Sequence, residues 1–171
     1  MIFSLPCLAG EGLNKGENLL QRLPLPEGNW FAIESKQGRD EIVDWKKADD
    51  PNHARTVILR GQGGYPPEKF REINYRGGRE SCSSFKGTVL DETPVNGYDR
   101  AIWVGDCVRA DGVATSTLWL FISGKDSSYF LFRQWQGTPE PDSMEQWLAY
   151  FKSVKVCDTR SRRNSPCASS P

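Results

Sequence analysis

A stretch of β-prone segments separated by tight turns, from Cys82 to Trp135, constrains the fold more than any other part of the chain. It predicts four strands, at Ser84–Leu90, Tyr98–Val108, Ser116–Ser123 and Ser128–Trp135. Asn, Asp or Gly stands between them wherever a hairpin needs a positive φ. These turns are Asn96-Gly97, Asp111-Gly112 and Ser123-Gly124-Lys125-Asp126. Because connections this short join only antiparallel neighbours, the stretch predicts an antiparallel β-sheet meander.

A helix is predicted after the meander. Asp142 is a good N-cap, and Glu145 stands three residues later, as in a capping box. The apolar residues that follow fall on one helical stripe, which we expect to pack across the sheet. They are Met144, Trp147, Leu148, Phe151 and Val154. The predicted fold class is therefore α+β, an antiparallel β-sheet meander with a C-terminal helix packed across it.

The N-terminal half contains weaker signals. Pro66-Pro67 predicts the start of a short helix over 68–75, with Phe70 and Ile73 facing inward and Gly77-Gly78 at its end. Residues 29–35 and 40–46 predict a hairpin, and 55–60 predict a further strand.

The chain divides into four predicted regions. Residues 1–9 are apolar and end in Cys7-Leu8-Ala9, like the back half of a secretory leader, so we expect a truncated signal peptide; the alternative is an apolar N-terminal strand. Residues 10–28 are expected to form an irregular arm or a weak helix, because Pro24 and Pro26 interrupt regular structure. A single α+β domain is predicted over 29–157, and a flexible tail over 158–171.

Four cysteines remain when Cys7 is removed with the leader. Their spacing lacks the C-x₂₋₄-C pairs of a zinc site, so two disulfides formed in an oxidising compartment are the simpler interpretation, with buried free thiols as the alternative. Of the three possible connectivities we favour Cys82–Cys107 and Cys157–Cys167. This pattern predicts a periplasmic or secreted protein.

The charge balance limits the class of partner. The chain has 22 basic and 22 acidic residues, so no net field draws it to nucleic acid or to an anionic membrane. No apolar run approaches the length of a membrane-spanning helix. We therefore expect another protein as partner, with no nucleic acid and no integral membrane segment. Basic and aromatic residues favour one candidate binding surface, formed by Tyr75, Arg76, Arg79, Arg133 and Trp135.

Signals for catalysis are sparse. His53, the only histidine, stands in a turn-forming cluster and is expected to be a solvated loop residue, and no G-x-S-x-G motif is present. Ser83-Ser84-Phe85-Lys86 matches the S-x-x-K pattern of penicillin-recognising enzymes, but the S-D-N and K-T-G motifs are missing. The sequence therefore predicts no catalytic residue, no metal and no cofactor.

The second half also has a distinctive layout of motifs. These are Cys82, Val95-Asn96-Gly97-Tyr98, Trp103 to Cys107, Ser123-Gly124-Lys125-Asp126 and Trp147 followed by Cys157-Asp158-Thr159-Arg160. The layout, over about residues 26–167, resembles small exported proteobacterial proteins of unassigned function. This resemblance implies periplasmic residence and an α+β fold and supplies no active site. The element order is also similar to the PsbP-like α/β/α sandwich, on topology alone.

These observations favour an exported, non-enzymatic binding or interaction protein, and an immunity or inhibitor protein for a secreted effector fits the size and address. One alternative is a small hydrolase that uses Ser83 and Lys86 or carboxylates. A second alternative is a cell-envelope assembly accessory factor.

Overall fold

The structure is a computed structural model that describes residues 13–48, 50–161 and 167, so the predicted leader over 1–9 lies outside the described residues. In these ranges the chain forms nine strands and two helices. In chain order they are β1 (Glu17–Leu20), β2 (Phe31–Gln37), β3 (Asp40–Lys46), β4 (His53–Arg60), α1 (Pro67–Ser81), β5 (Ser84–Asp91), β6 (Asp99–Val108), β7 (Ala114–Ser123), β8 (Ser127–Gln136), α2 (Pro141–Ser153) and β9 (Lys155–Asp158).

Most of the described strands join one antiparallel sheet in the order β2-β3-β4-β8-β7-β6-β5. The predicted meander is confirmed, since β5, β6, β7 and β8 are neighbours in sequence order. Asn96 and Gly97 adopt positive φ values of 50° and 79°, as the predicted turn requires. Strand β7, apolar on both faces, lies inside the sheet.

A helix packs against each face of this sheet. Trp147 and Phe151 of α2 belong to the larger core with Leu118 and Leu120 of β7, which confirms the α+β fold with a C-terminal helix across the sheet. Helix α1 lies on the opposite face against β5, β6 and β7, where the Phe70 ring stacks on Phe121 with centroids 4.4 Å apart. Helix α2 therefore covers the Leu118 and Leu120 side of β7, and α1 covers the other side at Phe121.

Both predicted disulfides are confirmed. Cys82, directly after α1, bonds to Cys107 of β6, with Cα atoms 5.6 Å apart. Cys157 of β9 bonds to Cys167, with Cα atoms 4.8 Å apart. The first bond fixes the end of α1 to the sheet, and the second ties a C-terminal residue to β9.

The region predicted as an arm is packed on the domain. Glu17–Leu20 forms β1 and pairs with β9 in a second, two-stranded sheet, so the prediction of an irregular arm or weak helix is wrong there. Leu25 is only 3% exposed and lies in the larger core. The Glu17 carboxylate accepts hydrogen bonds from the Lys125 and Asp126 backbone N–H groups at 2.6 and 2.9 Å. These partners are more than 100 residues away, so local sequence could not reveal them.

The folded domain also extends further towards the C-terminus than the predicted boundary at residue 157. Asp158, placed in the predicted tail, lies in β9 and is 4% exposed. Thr159 and Arg160 remain attached, through Gly16 and Asp158 respectively. Residues 162–166 and 168–171 of the predicted tail lie outside the described residues.

Helix α1 does not end at Gly77-Gly78 as predicted but runs on to Ser81. Gly78 serves close packing, because a Cβ there would lie 2.3 Å from the Phe85 ring. Ile73 is 48% exposed, so its predicted inward orientation is also wrong.

Alanine substitution of these two adjacent glycines is expected to change the free energy of unfolding in opposite directions. Gly78→Ala should lower the free energy of unfolding by about 1–3 kcal/mol, because the methyl group overpacks against Phe85. Gly77→Ala should raise it by roughly 0.5–1 kcal/mol, because open space surrounds that position in the helix. Urea denaturation of both variants measures the difference, and equal effects would contradict this account of α1 packing.

Candidate functional site

One half of a sheet face carries no helix among the described elements. Helix α1 packs mainly on β5, β6 and β7, and its Phe70 ring also lies 5.3 Å from that of Phe130 in β8. The rest of β8, with β4, β3 and β2, continues the same face beyond the helix. Because side chains alternate along each strand, the residues of this face follow from the strand register. We define the open sheet surface as Phe31, Ile33, Asp44, His53, Arg55, Trp119 and Phe132.

Five of these residues form one row across the strands. Ile33 is directly opposite Asp44, and Asp44 is directly opposite Arg55. Arg55 is opposite Phe132, which is opposite Trp119. The row therefore runs from the β2 edge to the aromatic residues beside α1.

At the centre of the row, an aromatic ring lies beside an ion pair. Arg55 Nε donates to Asp44 Oδ1 at 2.7 Å, and its guanidinium carbon lies 5.8 Å from the Phe132 ring centroid. The Phe132 ring also contacts those of Trp119 and His53, with centroids 4.9 and 5.3 Å away. Phe132 itself is only 9% exposed, so the accessible contact area lies around this ring, beside a charge pair that is already matched.

Exposure is greatest at the β2 end of the row. Phe31 and Ile33 are 42% and 44% exposed, which is unusual for two apolar residues on one face of one strand. His53 is the first residue of β4 and half-buried, so the prediction of a solvated loop residue is wrong. Burial, together with the neighbouring Arg55 charge, lowers the pKa of His53, so its imidazole is neutral at pH 7.

Arg133 and Trp135, predicted as surface residues, are buried on the opposite face. Arg133 is 2% exposed, and its Nη2 donates to Glu27 Oε2 at 3.0 Å. Three indole rings surround its guanidinium carbon, those of Trp30 and Trp135 at 4.9 Å and that of Trp147 at 5.4 Å. We call this set, with Glu27, the Arg133 cage. A cation already fills it, so it joins α2 to the sheet and presents no binding surface.

The other three residues of the predicted surface belong to α1. Tyr75 is half-buried and packs edge-on against Phe85 at 5.7 Å, whereas Arg76 and Arg79 are exposed. Tyr75 packs with the smaller core on the α1 side, and Trp135 belongs to the larger core on the α2 side. The structure therefore does not bring the five predicted residues together.

The geometry gives no support to a Ser83–Lys86 pair. Ser83 Oγ donates to the backbone carbonyl oxygens of Val108 at 2.8 Å and Arg109 at 3.2 Å. Its proton is thus directed at the main chain, and both Ser83 and Lys86 are exposed. Within the described ranges, no group of three His, Cys, Asp or Glu side chains is arranged to hold a metal ion.

Sequence reasoning missed the open sheet surface. The apolar alternation of Phe31 and Ile33 was a usable signal, but the pairing of β4 with β8, which brings Arg55 to Phe132, was not visible in the sequence. A scan against protein-family models matches no family, and a search of curated proteins finds no significant similarity. The case for function therefore depends on the surface itself.

Proposed function

We propose that this protein is an exported, non-enzymatic interaction module that binds another protein through the open sheet surface. The observation that carries the proposal is the row from Ile33 to Trp119, whose apolar and aromatic groups flank a partly exposed Arg55–Asp44 pair and lack a covering helix. The proposal includes a periplasmic or secreted location for the protein.

The residue types favour a protein as the binding partner. Aromatic residues and Arg are enriched where protein interfaces gain most of their binding energy. Arg55 is already paired with Asp44, so a partner need not supply a counter-charge when it covers the row. The best match is a surface of aliphatic and aromatic side chains with an acidic group for Lys46, which is exposed on the same face opposite Phe31 and His53. An inhibitor or immunity protein for a secreted effector would use such a surface.

The disulfides support the address. Disulfides such as Cys82–Cys107 and Cys157–Cys167 are typical of proteins that fold in an oxidising compartment. Neither helix in the described part of the chain has the length and apolar character to cross a bilayer.

Site-specific photo-crosslinking in cells tests the surface directly. A benzophenone amino acid at His53, inside the surface, should give one discrete adduct with a different protein. The same group at Ile73 of α1, outside the surface, should not give that adduct. Adducts of equal yield from both positions, or no foreign adduct from His53, would contradict the proposal.

Two isoleucines with similar exposure provide a matched test of affinity. Ile33 and Ile73 are 44% and 48% exposed, on the open sheet surface and on α1 respectively. Ile33→Glu should weaken binding of the crosslinked partner at least about tenfold, because it buries a carboxylate in an apolar contact. Ile73→Glu should leave binding unchanged. Calorimetric titration of the two variants with that partner measures both effects, and equal losses would exclude the open sheet surface.

A further inference from the structure

Strand β2 is a regular edge of the large sheet. Each of its seven residues stands directly opposite a residue of β3, without a bulge, and within the described chain β3 is its only neighbour. The opposite edge strand, β5, has a register shift between Val89 and Asp91. Bulges are one device that prevents edge-to-edge pairing. Strand β2 lacks that protection.

The turn after β2 determines which backbone groups face outward. Gln37 and Asp40 are opposite each other across the two-residue turn Gly38-Arg39, so they form a hydrogen-bonded pair. Hydrogen-bonded pairs alternate along an antiparallel ladder. Ala32, Glu34 and Lys36 therefore direct their N–H and C=O groups away from β3.

We propose that β2 pairs antiparallel with β2 of a second copy of this chain, about a two-fold axis at Ser35. In this register Glu34 of each copy is opposite Lys36 of the partner subunit, and both are residues with outward backbone groups. Both side chains are exposed, so each charge meets an opposite charge and the contact occurs twice. A two-fold axis at Glu34 would instead place two like charges directly opposite each other.

The apolar residues of β2 add to this pairing. Phe31 and Ile33 are exposed on the other face of the strand, and a neighbouring strand would cover part of each. The pairing would also join the two open sheet surfaces into one continuous face. The residues that test the pairing, Glu34 and Lys36, lie on the face of β2 opposite Phe31 and Ile33, so its failure is distinguishable from failure of the proposed function.

A charge exchange tests both the dimer and its register. Analytical ultracentrifugation of the purified chain at high micromolar concentration should give twice the monomer mass. Glu34→Lys should raise the dissociation constant at least about tenfold, because two attractive pairs become repulsive. The double variant Glu34→Lys with Lys36→Glu should restore the dimer, because opposite charges again face each other.

The control is Glu72→Lys, which makes the same charge change at an exposed position on α1 and should leave the dimer unchanged. Far-UV circular dichroism confirms that each variant is folded. A monomeric wild-type protein, a dimer insensitive to Glu34→Lys, or a failure of the exchanged pair to restore association would each overturn the proposal.

Discussion

Glu27→Ala is expected to lower the free energy of unfolding by about 3–5 kcal/mol, the cost of removing one partner of a buried ion pair. The reason is that Arg133, only 2% exposed, would keep its charge without a carboxylate. Glu27 itself retains 21% side-chain exposure, so water offsets part of the cost and the lower end of the range is expected. Urea denaturation followed by tryptophan fluorescence measures the loss and reports on the Arg133 cage at the same time.

The double variant Glu27→Gln with Arg133→Met is the control. It removes both charges together and leaves a flexible apolar side chain among the three indole rings. Replacing both members of a buried pair costs much less than removing one member. A double variant less stable than Glu27→Ala would show that the cage stabilises the fold by some means other than charge compensation.

The Glu27–Arg133 ion pair should make the stability of the fold depend on pH. Burial by itself raises the pKa of Glu27, but the Ser143 hydrogen bond and the Arg133 and Lys47 charges outweigh it, so the folded-state pKa lies below 4.5. A lowered carboxylate pKa contributes stability that is present above the unfolded-state value and lost as the pH falls through the folded value. Wild-type stability should therefore decline below about pH 4.5, and the double variant should decline less.

Removing the Cys82–Cys107 disulfide is the second large expected effect. Serine at both positions should lower the free energy of unfolding by roughly 3.5 kcal/mol, because the bond closes a loop of 25 residues. The Cys157–Cys167 bond closes only 10 residues, and its removal should cost about 2.7 kcal/mol. Chemical denaturation of the two double-serine variants compares them. A larger loss for the shorter loop would contradict the chain-entropy explanation.

Local pattern was sufficient for the meander and for the apolar stripe of α2. The predicted Asp142 N-cap is wrong, because the helix begins at Pro141 with Glu140 at the N-cap and without a side-chain capping hydrogen bond. The turn Asn96-Gly97 fixes a short connection, and Trp147 and Phe151 fall on the same side of a helix. Each signal lies within or beside the element that it predicts, so the prediction does not depend on contacts with distant residues.

The pairing of strands that are distant in the chain cannot be determined from the sequence alone. Leu19 is opposite Val156 in the β1–β9 sheet, and Arg55 is opposite Phe132. Neither partner can be chosen from local periodicity, because many strands have equally suitable faces. The sequence therefore predicts an irregular arm where β1 forms, and it does not indicate the open sheet surface.

The burial of Arg133 and Trp135 also depends on residues that are distant in the sequence. Arg133 and Trp135 have the composition of an interface, and the sequence alone could not show that Trp30, Trp147 and Glu27 would enclose them. A buried arginine surrounded by aromatic rings and an exposed basic and aromatic surface are built from the same residue types. Only the packing of α2 on the sheet distinguishes them.

The central claim is that two disulfides fix the scaffold that presents the open sheet surface. Alkylation of the natively purified protein in denaturant, without reductant and with peptide mapping, tests it most directly. We predict no label on Cys82, Cys107, Cys157 or Cys167, and label on all four after reduction. Ready labelling of Cys82 and Cys107 before reduction would contradict the claim.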